Sequence, residues 1–455
     1  MTMLHAAEPG IGVSRALQRA GMGAAAAAGK AQLFAAAAQV LGSEPTTGWF
    51  VPGRIEFLGK HTDYAGGRSL LCAVERGFCI VARPSASAVI RITDGVTGRQ
   101  AQFPLDAALV PRAGEWTNYP MTVARRIAAN FPGELHGADI VFASDLPPAA
   151  GLSSSSAFVV ASFLVLCDIN QLQERAEYRQ SIHSIEDLCG YLGAMENGQS
   201  FGSLEGTEGV GTQGGSQDHT AILCSLAGRL VQYSFAPVRK EGAVPLPAGY
   251  TLLIASSGVE AEKAGAARDQ YNRAARSVAT IVQRWRAQHS GSASTLPNTL
   301  AAVVRSGPDA VQKLHAMLQK PISTNFTPQQ LIDRLDQFLA ESERIIPQAA
   351  AALAAGRLSE LGKLVDDSQQ WAQRGLANQI PETIFLAACA RRLGAVAASA
   401  FGAGFGGSVW TLVRSESAQQ FETAWAAAYA EQFPAAAARA RYFQTLAGPP
   451  AVRVI

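Results

Sequence analysis

The six cysteines of this 455-residue chain, Cys72, Cys79, Cys167, Cys189, Cys224 and Cys389, include no Cys-x-x-Cys pair and stand scattered in apolar surroundings. That pattern argues against a thiolate zinc site or a disulfide framework, and it predicts reduced, mostly buried thiols of a cytoplasmic protein. The seven histidines form no ligand-spaced cluster. An excess of one charge is missing too: 38 Lys plus Arg oppose 36 Asp plus Glu, for a net charge of +2. With no run of basic residues to neutralise a phosphate backbone, nucleic acid is not an expected partner. Long uncharged apolar runs bulky enough to span a bilayer are lacking. The Ala24–Ala28 run is flanked by Arg15, Arg19 and Lys30, without the apolar core of a secretory signal. No membrane association is expected, and no internal repeat is visible.

What is present is apolar bulk. At 48% hydrophobic over 455 residues, the chain exceeds what one core organises, so two packed domains are expected. The Pro- and Gly-containing stretch Pro237 to Gly249 marks the boundary, giving domains 1–243 and 244–455. An Ala-rich helical lead-in of about 45 residues precedes short β-like runs over Trp49 to Ala82 and Ile90 to Phe103. Met121 to Phe131 reads as a helix, Ala138 to Ser144 as a strand, and Ser156 to Gln171 as a long helix. Strands are predicted at Leu230 to Phe235, Tyr250 to Ser256 and Val409 to Val413, within a second half that is otherwise largely helical. His289 to Asn298 reads as a polar loop, and Ala451 to Ile455 as a terminal strand-like segment.

Three segments carry chemistry. Pro52 to Gly67, PGRIEFLGKHTDYAGG, packs Arg, Glu, Lys, His, Asp and Tyr between glycines, a density seldom needed for structure alone. Pro147 to Ala157, PPAAGLSSSSA, lies between a predicted strand and a long apolar helix. Free N–H groups and the dipole at such a helix start, about half a positive charge, favour a phosphate, and serine hydroxyls add donors. A serine-rich helix cap is the simpler alternative, but four consecutive serines exceed what capping uses. Phe401 to Ser408, FGAGFGGS, satisfies G-x-G-x-x-G through Gly402, Gly404 and Gly407. A dinucleotide fingerprint must leave a strand and open a helix, whereas here a helix (Ile384 to Gly394) comes before and a strand follows. Gly53 to Lys60 is likewise no P-loop, because five residues separate its glycines and no Ser or Thr follows Lys60.

The three segments, in this order, resemble the motifs of galactokinases, members of the GHMP family of small-molecule kinases. The resemblance implies an α+β, two-domain fold: an N-terminal domain like domain 2 of ribosomal protein S5, a C-terminal ferredoxin-like domain, and an active site between them. It implies an ATP-dependent kinase that phosphorylates the anomeric hydroxyl of galactose, with Mg²⁺ as cofactor and sugar and ATP as partners. Asp218, in Gly214 to His219, stands where the family has Gly-x-Met-Asp-Gln and is the expected catalytic base; it would also suit a helix cap. Arg54 would depress the Asp218 pKa and offset charge on the moving phosphoryl group. Lys60, His61, Asp63 and Tyr271 are the expected sugar contacts. Trp116, Gly151, Leu152, Ser153, Ser154, Ser155, Ser156, Gly404 and Gly406 are expected around ATP. Ser154 or Ser155, with Glu196, would face the metal; the glycine-rich Ser200 to Thr212 insertion leaves Glu205 or Glu208 as alternatives.

The departures from the family pattern are Glu56 for its Asn, Lys60 for its Glu, and Ala274 for its Arg. Lys60 can only donate hydrogen bonds, so it could bond a hydroxyl oxygen of a related hexose or select a uronic acid such as galacturonate, or turn to solvent or to Glu56 with galactose still accepted. Some galactokinase relatives act as sugar and ATP sensors rather than enzymes; Arg54 and Asp218 favour turnover.

Overall fold

The computed structural model describes residues 5–6, 12–147, 150–259, 265–289, 296–321 and 325–455. Pro148 and Ala149 of the serine segment, part of the expected 289–298 loop and part of the N-terminal lead-in lie outside them. The chain forms two compact units, neither continuous in sequence: 1–55, 72–230 and 445–455 in the first, 56–71 and 231–444 in the second. A single division at 243/244 does not describe these units. The expected linker 237–249 contains a strand, Arg239–Pro245, and belongs to the second unit.

In the first unit the strands His5–Ala6, Val452–Arg453, Thr47–Leu58, Arg68–Pro84, Ala138–Ser144, Val89–Asp94 and Gln100–Pro104 lie side by side in that order. Ala138–Ser144 runs antiparallel to Arg68–Pro84 and parallel to Val89–Asp94. Alternation of side chains across this sheet decides what covers each face. Cys79, Val81 and Val141 pack with Leu17, Ala27, Phe34 and Ala37 of the helices Val13–Arg19 and Ala24–Leu41. Their neighbours Phe78 and Phe142 point the other way, onto Phe158 of the helix Ser154–Ile169, at ring distances of 5.2 and 4.8 Å. That helix shows little amphipathic pattern because 12 of its residues, from Ser156 to Cys167, are buried.

The second unit holds a four-stranded sheet in the order Ala397–Phe401, Ser408–Arg414, Tyr250–Ser256, Arg441–Thr445. Numbered along the chain this order is 2-3-1-4, with helices in both crossovers, which is the ferredoxin-like βαββαβ arrangement expected. Leu253, Val409 and Val413 of the sheet form one core with Leu386, Trp425 and Tyr429 of the helices Pro381–Arg392 and Ala418–Gln432. A separate helical core joins Val278, Ile281, Leu300, Leu314, Leu335 and Phe338. Among the described residues no helix is long and apolar enough to cross a membrane, and all six cysteines are free and buried.

Candidate active site

In the first unit the serine segment closes on a carboxylate. Arg54, on the strand Thr47–Leu58 and 4% exposed, donates from Nε to Asp218 Oδ1 at 2.7 Å and from an Nη to the Gly151 carbonyl at 2.5 Å. Asp218 sits in the first turn of the helix Gln217–Cys224. Its Oδ2 accepts from Ser153 and, at 3.3 Å, from Ser156. Ser153 occupies the cap position of Ser154–Ile169 with φ +55° and makes no capping hydrogen bond. Its hydroxyl serves Asp218 instead, so capping does not explain the serine run. Ser154 and Ser155 are half-buried in the first turn, where helical N–H groups lack intrahelical acceptors. Leu152 is buried and its carbonyl accepts from the Arg54 amide at 3.1 Å, tying the loop to the strand.

Trp116, half-buried, lies against Phe142 and Phe158 at 6.1 and 6.2 Å between ring centroids. The Arg99 guanidinium stands 5.5 Å over the Trp116 ring. Arg99 carries no motif, and no sequence signal singles it out. Glu196 ends the helix Ile185–Asn197, 6% exposed, with Oε2 3.0 Å from Nε2 of His219. The two alternatives in the insertion are exposed, and Glu208 faces Arg125 at 3.4 Å. A carboxylate and a serine hydroxyl are the hard oxygen donors Mg²⁺ prefers, usually one or two carboxylates completed by substrate phosphates. Among the described residues no group of three or more His, Cys, Asp or Glu is arranged to hold a metal by protein ligands alone.

In the second unit the turn after the strand Thr47–Leu58 carries the sugar-motif residues. Gly59, at φ +120°, passes so close to Ser69 that a Cβ would meet its side chain at 2.3 Å, so only glycine fits. His61, 5% exposed and at φ +57°, has both ring nitrogens engaged: Nδ1 with the Tyr64 hydroxyl at 2.9 Å and Nε2 with the Ala403 carbonyl at 3.2 Å. Arg334 donates to the His61 carbonyl at 2.6 Å and to the Tyr64 oxygen at 3.4 Å. Burial pushes the Tyr64 phenol up to about 12 against the opposing pull of Arg334. The Ala403 carbonyl can only accept, so the neutral imidazole carries its proton on Nε2, and the protonated Tyr64 phenol donates to Nδ1. Asp63 and Tyr271 are half-buried, and the Tyr271 ring lies 5.2 Å from that of His61.

Lys60 does not turn to solvent. It is 1% exposed, and Nζ donates to Ser368 Oγ at 3.1 Å and Ser399 Oγ at 2.8 Å. Two of its three ammonium donors are thus given to serines. The glycine-rich segment connects antiparallel strands, with Phe401 paired to Ser408. The helix expected directly before it is followed by a further strand, Ala397–Phe401, whose Ala-Ala-Ser-Ala-Phe composition hides its strand character. The loop opens no helix, so the dinucleotide reading stays excluded. Gly404 at φ +81° lies where a Cβ would come within 2.3 Å of the Asn378 carbonyl.

The chain is similar to known small-molecule kinases. Residues 38–84 match the galactokinase galactose-binding signature. Residues 118–196 match the GHMP kinase N-terminal domain and residues 349–431 the GHMP kinase C-terminal domain. A galactokinase of Chloroflexus aggregans is 28% identical over 410 residues, 88% of this chain and 92% of that protein. A galactokinase of a Roseiflexus species is 28% identical over 385 residues, 83% and 86% of the two chains. The fold matches that of Lactococcus lactis galactokinase complexed with galactose, with a TM-score of 0.74 and 20% identity over 92% of this chain and 98% of the other. It is also similar to Methanococcus jannaschii mevalonate kinase, with a TM-score of 0.51 and 12% identity over 88% and 97%.

Proposed function

We propose, from the premise that this chain belongs to the GHMP kinase family and carries the galactokinase signature, that it transfers the γ-phosphate of ATP to the anomeric hydroxyl of galactose. The observation that carries this reading is the Asp218 carboxylate, held by Arg54 at 2.7 Å and by Ser153 and Ser156 at the start of the serine-run helix. Phosphoryl transfer asks the protein for positioning and charge stabilisation more than for covalent help. Asp218 orients the sugar hydroxyl and takes its proton as the oxygen bonds to the γ-phosphorus and the bond to the β–γ bridging oxygen breaks, releasing ADP. Arg54 keeps that carboxylate in place and offsets charge on the moving group.

Asp63 and Tyr271 make the direct sugar contacts. His61, both of whose ring nitrogens are engaged within the protein, shapes the pocket wall. Gly151 to Ser156 and the Gly404–Gly406 turn bind the phosphates, and Trp116 with Arg99 covers the adenine. Ser155 and Glu196 would hold Mg²⁺, which would neutralise phosphate charge. ATP as co-substrate places the enzyme in the cytoplasm.

The test is ADP release from Mg-ATP with galactose, galacturonate, glucose, N-acetylgalactosamine, arabinose and fucose, with Asp218→Ala as control. Turnover with galactose above all others, lost in the control, is expected. Saturable sugar binding without turnover on any of the six would make the protein a sensor, and unchanged activity in Asp218→Ala would remove the base assignment.

A further inference from the structure

Lys60 is a buried charged side chain that the proposed chemistry does not use. Its surroundings form a hydrogen-bond ring whose donors run one way from Lys60 as far as the Ala403 carbonyl, where His61 meets them from the other side. Lys60 Nζ donates to Ser399 Oγ at 2.8 Å. Ser399 donates to Gln369 Oε1 at 3.0 Å, and the Gln369 amide donates to Gln379 Oε1 at 3.2 Å. Gln379 donates to Asn378 Oδ1 at 3.0 Å, and Asn378 donates to the Ala403 carbonyl at 3.3 Å. His61, the residue next to Lys60, donates to that same carbonyl at 3.2 Å and closes the circuit. Two more bonds stiffen it: the Ala400 amide reaches Gln369 Oε1 at 3.0 Å, and the Phe405 amide reaches the Asn378 carbonyl at 2.6 Å.

We propose that Lys60 is a positioning residue for the glycine-rich loop 402–407, heading a hydrogen-bond chain that runs to the Ala403 carbonyl and fixes this loop against His61, and is not a sugar contact. The argument is one of donor count. Every link beyond Lys60 passes a proton donor forward, so the first group must donate without accepting, and an ammonium has three donors and no acceptor. A carboxylate at position 60 would demand a donor from Ser399, whose proton is then lost to Gln369, and the ring would open at its head. In a buried chain of polar groups each bond polarises the next, so loss of the head is felt along the ring. Lys60, Ser399 and Asn378 are each 1% exposed or less, so water does not replace a missing partner at those points. The backbone of the same turn is held independently, with the Gly59 amide on Glu341 at 2.7 Å and the Lys60 carbonyl on Gln337 at 3.2 Å. Loss of the Lys60 amine therefore loosens the glycine loop without unfolding the sugar turn.

The kinetic part of the test rests on the galactose-kinase reading; the exchange part does not. In Lys60→Met, hydrogen exchange at the Phe405 and Gly407 amides should rise about tenfold or more, while exchange around Gly59 and Lys60 stays as in the parent. The KM for ATP should rise about 10- to 100-fold, the cost of a displaced binding loop, with the ratio of kcat/KM values between galactose and galacturonate unchanged. Lys60→Arg should retain most of the protection. Ser399→Ala should reproduce the exchange change and add little on top of Lys60→Met, and it carries the test if Lys60→Met does not fold. A changed sugar ratio with unaltered loop exchange and ATP KM would overturn the proposal. A parent protein silent toward every sugar would sink the kinase reading alone, since loop exchange still decides the role of Lys60.

Discussion

Arg54 Nε and Asp218 Oδ1, 164 positions apart in the chain, meet at 2.7 Å with the guanidinium all but fully buried. The pairing joins a strand to the first turn of a helix, and Ser153 and Ser156 occupy the other carboxylate oxygen. Asp218→Asn keeps the size and loses the proton acceptor. Its kcat for galactose should fall by about 10²- to 10⁴-fold, the range for removal of a general base, with the KM for ATP little changed, as measured by coupled ADP release.

Ser153→Ala removes a donor from Asp218 and leaves the backbone of the loop unchanged in composition. A hydrogen bond to a charged group is worth about 1.5–3 kcal/mol, so kcat should drop at least tenfold, while Ser154→Ala, half-buried in the next position of the same turn, should leave the Ser153 and Ser156 bonds to Asp218 intact. Steady-state kinetics of the two variants side by side give the answer; equal losses would contradict the division of roles among the serines.

Tyr64→Phe removes the donor that fixes the His61 tautomer. Because the phenol is buried and ionises only near 12, its effect on the parent should not change between pH 6 and 9. The variant should show a galactose KM raised about fivefold to tenfold, the weight of one net hydrogen bond, and the imidazole nitrogen signals of His61 in NMR should shift toward a tautomer mixture.

Much of this site was legible in the sequence. The strand Ala138–Ser144 stands where its pattern puts it, and the helix expected at Ser156 to Gln171 runs two residues earlier, Ser154–Ile169; Arg54, Asp218 and the glycine loop were singled out by their resemblance to galactokinase motifs. The role of Lys60 was not legible, because its partners Ser368 and Ser399 lie 308 and 339 positions away and serines carry no periodic signal. The strand Ala397–Phe401 was missed for a related reason. Alanine favours helix, and only pairing with Ser408–Arg414 makes that segment a strand. Arg334, buried on the helix Pro328–Phe338 and bonded to the His61 carbonyl, belongs to no motif that the sequence shows.

Gly404→Ala tests the turn between those strands. At φ +81°, with the Asn378 carbonyl 2.3 Å from a new Cβ, the variant must shift the loop. A thermal midpoint lowered by several degrees is expected, from a strain of about 1–3 kcal/mol, together with weaker ATP binding by calorimetry. Gly356→Ala, also at positive φ but with nothing within 4 Å, should lose stability alone.

Glu343 gives the acid dependence. Burial works against its charge, but hydrogen bonds from Arg305 and Ser342 and the charges of Arg305 and Arg68 win, so its carboxyl titrates below the usual 4.5. A depressed carboxylate contributes stability that is present above its unfolded pKa and lost as pH falls through the folded one. Urea midpoints should therefore drop between pH 5 and 3 more steeply in the parent than in Glu343→Gln.

Phosphorus NMR of the product formed from ATP and galactose tests the central claim most directly. A new phosphomonoester signal, split by coupling to the anomeric proton and growing in step with ADP, is the predicted result. No such signal, or a phosphomonoester coupled to another ring or exocyclic proton, would contradict it.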